Sequence, residues 1–155
     1  MNDHHDTNRE ADIFKPIHAS TCLVAVSDSF YMTTLRETLR EMKFGNIEIS
    51  RDGAQALFLL KKHVFVDLII AQEDLPIYQC KDIVRLVRSE GFTQQSYLPI
   101  ICIGWKWTHE KIEIYRRLKV DDIIAFPTSR YGLQRRVLSA LYSDRRFDAK
   151  RSQKA

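Results

Sequence analysis

Four short segments follow directly on apolar runs, and they hold the side chains best placed to do chemistry together. Ser27-Asp28 follows residues 22–26, Gln72-Glu73-Asp74 follows residues 68–71, Gly104-Trp105 follows residues 98–103, and Phe126-Pro127 follows residues 122–125. Asp28 and Asp74 offer carboxylate oxygens, the atoms that hold a hard divalent cation or attack an electrophilic centre. Of the five histidines, His4, His5, His18, His63 and His109, only His109 falls near these segments. No Ser, His and acid set gathers there, which argues against a hydrolase and against an enzyme generally. His4 and His5 lack the further ligands that a closed metal site needs. Cys22, Cys80 and Cys102 are odd in number and widely spaced, so neither a zinc pattern nor a fully paired disulfide framework is present. Cys102 lies in an apolar run and reads as core packing, and Cys80, on a helix, reads as inert.

These segments need elements to bring them together. Residues 22–26, 68–71 and 98–103 are short apolar runs of the kind that form strands buried on both faces. Ile47-Glu48-Ile49 alternates as a peripheral strand would, and residues 122–125 make a fifth strand. Amphipathic stretches lie between. Leu35, Leu39 and Met42 mark a helix that Ser27, Asp28 or Ser29 caps and Gly45 stops, and Asp52-Gly53 opens a second. Ile83, Val84, Leu86 and Val87 mark a third helix closed by Gly91, while residues 109–118 and 130–142 form the fourth and fifth. Five βα units in about 120 residues predict an α/β fold, a doubly wound, five-stranded parallel sheet with helices on both faces. In such sheets the site lies beyond the carboxyl ends of the strands, where the four segments fall. The chain has neither a G-x-G-x-x-G nor a G-x-x-x-x-G-K-[ST] motif, so the dinucleotide and P-loop readings lose their main support.

The chain has 155 residues, 45% hydrophobic and 28% charged, a globular balance for one domain. Residues 21–143 form that domain. Residues 1–20, with four acids against Arg9 and Lys15 (−2), read as a flexible N-terminal extension. Residues 144–155, with five bases against Asp144 and Asp148 (+3), read as a basic C-terminal tail. The overall charge of +4 is too small to require nucleic acid or an acidic membrane. No apolar run reaches signal-peptide length near the start or the roughly 18 residues of a membrane span, which predicts a soluble, cytoplasmic protein.

The sequence resembles the receiver domain of two-component response regulators, in size the single-domain chemotaxis type. The resemblance covers about residues 21–143. It rests on Leu23-Val-Ala-Val-Ser27-Asp28, Asp52-Gly53-Ala54-Gln-Ala56, Asp67-Leu-Ile-Ile-Ala-Gln72-Glu-Asp-Leu-Pro76, Leu98-Pro-Ile-Ile-Cys-Ile-Gly104 and Phe126-Pro127. It implies the flavodoxin-like strand order 2-1-3-4-5 and a bacterial phosphorelay role. The family's site has an acidic pair after the first strand and an acceptor aspartate after the third, which together hold Mg²⁺. A hydroxyl residue after the fourth strand and a lysine before the final proline bind the phosphoryl group. Here those positions fall on Ser27 and Asp28, Gln72, Gly104 and Phe126, so one acid survives.

Each replacement removes a piece of chemistry. An amide at Gln72 is a poor nucleophile and cannot form an acyl phosphate. Asp28 beside a neutral Gln72 is a weak Mg²⁺ site, so no cofactor is expected. Phe126 puts an apolar ring where positive charge would stabilise phosphoryl transfer. The sequence therefore points to a degenerate pseudo-receiver that works by phosphorylation-independent protein–protein interaction. A shift of register would instead bring Glu73 or Asp74 to the acceptor position, at the cost of displacing Pro76 and flipping the strand's faces. A conventional relay using Asp74 or Asp28 as a displaced acceptor is thus one alternative.

By the same resemblance, the fourth helix, fifth strand and fifth helix form the surface for a kinase, a downstream target or a second copy. Ile112, Arg116, Ile123 and Arg135 are its candidates here. Ile123 stands where the family has a switching aromatic residue, so that toggle is absent. Phe126-Pro127 retains the peptide bond that is cis in relatives, and proline lowers the cost of cis to about 0.5–1 kcal/mol. Trp105 and Trp107, flanking Lys106, are candidates for an apolar plug or partner contact. The bland arrangement packs one of them on the fourth helix and leaves the other on the surface. Arg116, Arg117, Lys119, Arg130, Arg135 and Arg136 lack interleaved aromatics and read as solvated helix faces rather than a nucleic-acid stripe. A nucleic-acid module built on the last helix and basic tail is the other alternative.

Overall fold

Continuous apolar sequence becomes continuous burial. In the computed structural model, which describes residues 15–62, 65–93 and 95–143, β1 (Thr21–Ala25), β3 (Leu68–Gln72) and β4 (Ile100–Gly104) are buried along almost their whole length. β2 (Asn46–Ser50) and β5 (Asp122–Ala125) are the partly covered edges. All neighbours pair in parallel, in the order β2-β1-β3-β4-β5. The helices are α1 (Ser29–Glu41), α2 (Gly53–Lys62), α3 (Cys80–Arg88), α4 (His109–Arg117) and α5 (Arg130–Leu141). This is the expected five-stranded, doubly wound, flavodoxin-like architecture.

Side-chain alternation divides the core in two. Cys22, Val24, Leu68, Ile70, Ile101 and Ile103 pack under α1 and α5. Leu23, Ala25, Ile69, Ala71, Ile100 and Cys102 pack under α2, α3 and α4. Outside the core, Arg130 ties α5 to Glu37 and Glu41 of α1. No helix among the described residues is long and apolar enough to cross a membrane.

Two local expectations change. α1 ends at Glu41, and the left-handed residue after it is Lys43 (φ 64°), not Gly45. Gly45 instead lets the chain approach closely, since a Cβ there would lie 2.2 Å from the His18 carbonyl oxygen. Residues 15–20 belong to the domain rather than to an extension. Ile17 packs on the core and its carbonyl accepts from the Gly45 N–H at 3.1 Å, while Lys15 pairs with Asp67 at 3.3 Å. The rest of the N-terminal extension, with His4 and His5, and the basic tail lie outside the described residues. The Phe126–Pro127 peptide bond is cis, as expected.

Candidate functional site

Gln72 closes β3 at the carboxyl edge of the sheet and is 5% exposed. Its Oε1 accepts from the backbone N–H groups of Ser27 and Asp28 at 3.0 and 3.1 Å, and from the Ser27 hydroxyl at 3.4 Å. Its Nε2 donates to Asp74 Oδ1 at 2.7 Å. The amide therefore joins the β1–α1 and β3–α3 loops by accepting on one side and donating on the other. An ionised carboxylate has acceptors alone and could make only the first of these connections. Of the three candidate caps for α1, the structure uses Asp28. Its Oδ1 accepts from the N–H groups of Phe30 and Tyr31 at 2.8 and 3.2 Å.

Glu73 is paired with Lys111 of α4 at 3.3 Å. A divalent cation needs several oxygen ligands with free lone pairs. Asp28 is engaged at the helix end, Gln72 accepts three hydrogen bonds, and Glu73 holds an ammonium. The donor set does not fit a Mg²⁺ centre, and among the described residues no group of three His, Cys, Asp or Glu side chains is arranged to hold a metal.

Aromatic rings stand over the same strand ends. Phe126 is 3% exposed and meets Tyr31 edge-on, with centroids 4.8 Å apart. Trp105 stacks on Tyr31 at 5.3 Å and on Phe30 at 5.6 Å, leaving about half of its surface to solvent. Trp107 takes a different place. Its ring lies against Gly104, where a Cβ would come within 3.3 Å of it, and meets Tyr115 of α4 edge-on. Its indole N–H donates to the Ile124 carbonyl at 3.3 Å. The two tryptophans thus differ: Trp107 packs on α4, and Trp105 stacks on the rings of α1 and stays half-exposed.

Tyr31 is the residue that the sequence reading missed. It is 1% exposed, and its hydroxyl has no hydrogen-bond partner among the described residues. Burial, reinforced by the charges of Asp74, Asp28 and Glu73, pushes its ionisation well above the ordinary tyrosine range. Nothing in the sequence around Tyr31 distinguishes it from any other inward helical residue.

The β3–α3 loop adds an exposed lip. The Tyr78 N–H donates to the Pro76 carbonyl at 2.9 Å across Ile77, which sits at φ 72°, a γ-turn conformation costly for a β-branched residue. Gly53 holds the turn by donating to the same carbonyl at 2.9 Å, and a Cβ at Gly53 would meet the Tyr78 carbonyl oxygen at 2.2 Å. Ile77 and Tyr78 are exposed.

Ser27, Asp28, Gln72, Gly104, Trp105, Phe126 and Pro127 therefore gather at one end of the sheet, together with Trp107. Ile112, Arg116, Ile123 and Arg135 lie on the neighbouring α4, β5 and α5. Ile112 and Ile123 are partly buried, with Ile123 packed on the core beside α4. Arg116 is exposed and pairs with Glu113 within its own helix at 3.1 Å. The Arg135 guanidinium stands 5.9 Å from the centre of the exposed Tyr131 ring. Arg136 joins α5 to β5 by donating to Asp122 and to the Ile123 carbonyl. Cys22, Cys80 and Cys102 are free and buried, and burial raises the Cys22 and Cys102 thiols.

No family model matches the chain, and no curated protein matches it. Solved structures do. The receiver domain of the sensor histidine kinase PA1611 from Pseudomonas aeruginosa PAO1, described with a magnesium ion coordinated in its active site cleft, is 21% identical. It matches with a TM-score of 0.69 over 81% of this chain and 99% of that one. The Vibrio cholerae chemotaxis protein CheY4 is 18% identical, with a TM-score of 0.69 over 79% and 98%. A CheY-like receiver domain protein from Methanospirillum hungatei JF-1 is 14% identical, with a TM-score of 0.72 over 84% and 98%. Strand order and three-dimensional likeness together give this chain the fold of the response-regulator receiver domains.

Proposed function

We propose that the chain is a pseudo-receiver in cytoplasmic signal transduction, acting by phosphorylation-independent protein–protein interaction. The observation that carries this reading is the Gln72 amide. It is buried, committed to Ser27 and Asp28 through Oε1 and to Asp74 through Nε2, and without nucleophilic charge. Asp28 serves the end of α1, and Phe126 occupies the lysine position as a buried ring. Binding of Mg²⁺ is accordingly weak or absent. Tyr131, Arg135 and Leu138 form one exposed stripe on α5 at i, i+4 and i+7. That stripe, with Ile112, Arg116 and Ile123, is the surface proposed for a signalling partner, a kinase or target, or a second copy.

Asp74 supports a second reading, a displaced acceptor, because its carboxylate is exposed beside the amide. One experiment separates the two. The chain is incubated with Mg²⁺ and acetyl phosphate and its intact mass is measured, with peptide mapping of any adduct. An unchanged mass is expected. Stoichiometric phosphate mapped to Asp74 would replace the pseudo-receiver by a working relay.

A further inference from the structure

At the far edge of the sheet, α1 and β2 enclose an open groove of about 340 Å³, lined by Arg36, Arg40, Phe44, Gly45, Ile47 and Ile49 among others. Three features make it more than a surface dent. β2 is an edge strand paired with β1 alone. The Asn46 N–H and the Ser50 carbonyl bond toward β1, at Ser20 and Val26. Alternation therefore turns the backbone N–H and C=O groups of Ile47 and Ile49 outward along the groove. The side chains of Ile47 and Ile49 pack toward the core on the α1 face and supply an apolar floor. Finally, Arg36 and Arg40 have no ion pair or hydrogen bond among the described residues, although Arg36 is half-buried. The acids on the neighbouring positions of α1, Glu37 and Glu41, are committed to Arg130 on the opposite side.

The spacing identifies what would fit. Residues four apart on a helix are separated by ~6 Å along its axis. Side chains on one face of an extended strand repeat every two residues, at ~6.6 Å. A strand laid against β2 with acidic side chains at i and i+2 thus brings a carboxylate opposite each guanidinium. Arg accepts such a carboxylate in a two-pronged geometry. We propose that this groove binds an extended acidic segment of a partner protein, which adds to the β2 edge through Ile47 and Ile49 and places alternate carboxylates on Arg36 and Arg40. Main-chain pairing supplies the affinity and the arginine pair supplies the charge and register, as in strand addition generally. The surface is separate from the strand-end cleft and from the α4–β5–α5 face, and it needs no phosphorylation.

The test uses the full chain and a fluorescein-labelled seven-residue peptide with aspartates at alternate positions and valines between them. A peptide of the same composition with its aspartates adjacent serves as the comparison. Anisotropy should show saturable binding of the alternating peptide, at least roughly tenfold tighter than the clustered one. Amide resonances of Ile47 and Ile49 should move on titration. The double substitution Arg36→Glu, Arg40→Glu should abolish binding of the acidic peptide and transfer the preference to its lysine counterpart, a gain that an unfolded variant could not show. Equal affinity for both acidic peptides, or unchanged binding by the double variant, would overturn the proposal. So would a chain that binds the peptide only after Glu10 and Asp12 are replaced by lysine, since its own acidic segment would then hold the groove.

Discussion

The two ends of the same parallel sheet are built on opposite principles. At the amino edge, carboxylates are kept and neutralised. Asp67 Oδ2 accepts from the Thr21 N–H at 2.8 Å and pairs with Lys15, while Asp121 Oδ2 accepts from the Ile100 N–H at 2.7 Å and from Arg88 at 2.8 Å. Arg88 also donates to the carbonyls of Ser96, Leu98 and Lys119. At the carboxyl edge the acids serve the loops instead: Asp28 caps α1, Glu73 pairs with Lys111 and Asp74 accepts from Gln72, while the strand ends carry an amide and aromatic rings. The amino edge must fix where strands begin, and a charge there is tolerable only when fully partnered. The carboxyl edge carries no such burden, and a neutral amide at the buried Gln72 avoids the desolvation cost that an ionised side chain would carry there.

The sharpest way to break this contrast is to remove a charge from the amino edge. Arg88→Ala leaves Asp121 facing a largely buried site, with both side chains less than one-fifth exposed, and frees three carbonyls. A loss of about 2–4 kcal/mol is expected in urea unfolding. A smaller loss would mean that the strand starts are held by burial alone. The next effect comes from adding a charge at the carboxyl edge. Gln72→Glu preserves the bonds from Ser27 and Asp28 but turns the Asp74 contact, 2.7 Å in the native chain, into a meeting of two acceptors. The introduced carboxyl ionises with difficulty, so its folded-state pKa lies above its unfolded value near 4.3. The folded state then binds more protons, and stability falls as pH rises through and above that value. Unfolding at pH 4 and pH 7 should show a penalty of roughly 1–3 kcal/mol that is largely confined to the higher pH.

Asp28→Ala tests whether the surviving acid is structural. Removal of a single N-cap bonded to Phe30 and Tyr31 should cost about 1 kcal/mol, and asparagine, which caps equally well, should restore it. If asparagine failed where aspartate succeeds, the charge itself would matter, and Asp28 would be more than a helix cap.

The sheet was readable because strands buried on both faces, such as Leu68–Gln72 and Ile100–Gly104, must be apolar throughout, and the residues ending them necessarily fall at one edge. The positions of Gln72 and Gly104 followed from that alone, and that of Phe126 from the shorter run of the edge strand before it. Side-chain commitments did not. Asp28, written as a lone acid, can hold a cation or cap a helix, and only the φ and ψ of the loop decide between them. Tyr31 sits at a spacing that fits any inward helical position, so nothing local marks it as the ring on which Trp105 stacks. The helix stop at Lys43 was hidden for a similar reason. A left-handed residue is expected to be glycine, and Gly45 was needed two positions later for close approach to His18.

The smallest expected effect probes the cleft at its most economical point. The Tyr31 hydroxyl is buried without a partner, close enough to Asp74, Asp28 and Glu73 for their charges to oppose its ionisation. A buried hydroxyl that makes no hydrogen bond carries a desolvation cost and returns nothing for it. Tyr31→Phe keeps the ring stacked under Trp105 and edge-on to Phe126, so packing is preserved. Stability should be unchanged or rise by up to about 1 kcal/mol, read as a shift in the urea midpoint at constant slope. A clear loss would mean that the hydroxyl donates to one of the carboxylates in solution. The Tyr31 ring would then belong to a polar network with those carboxylates, and the aromatic packing around it would be holding that network together rather than standing in for one.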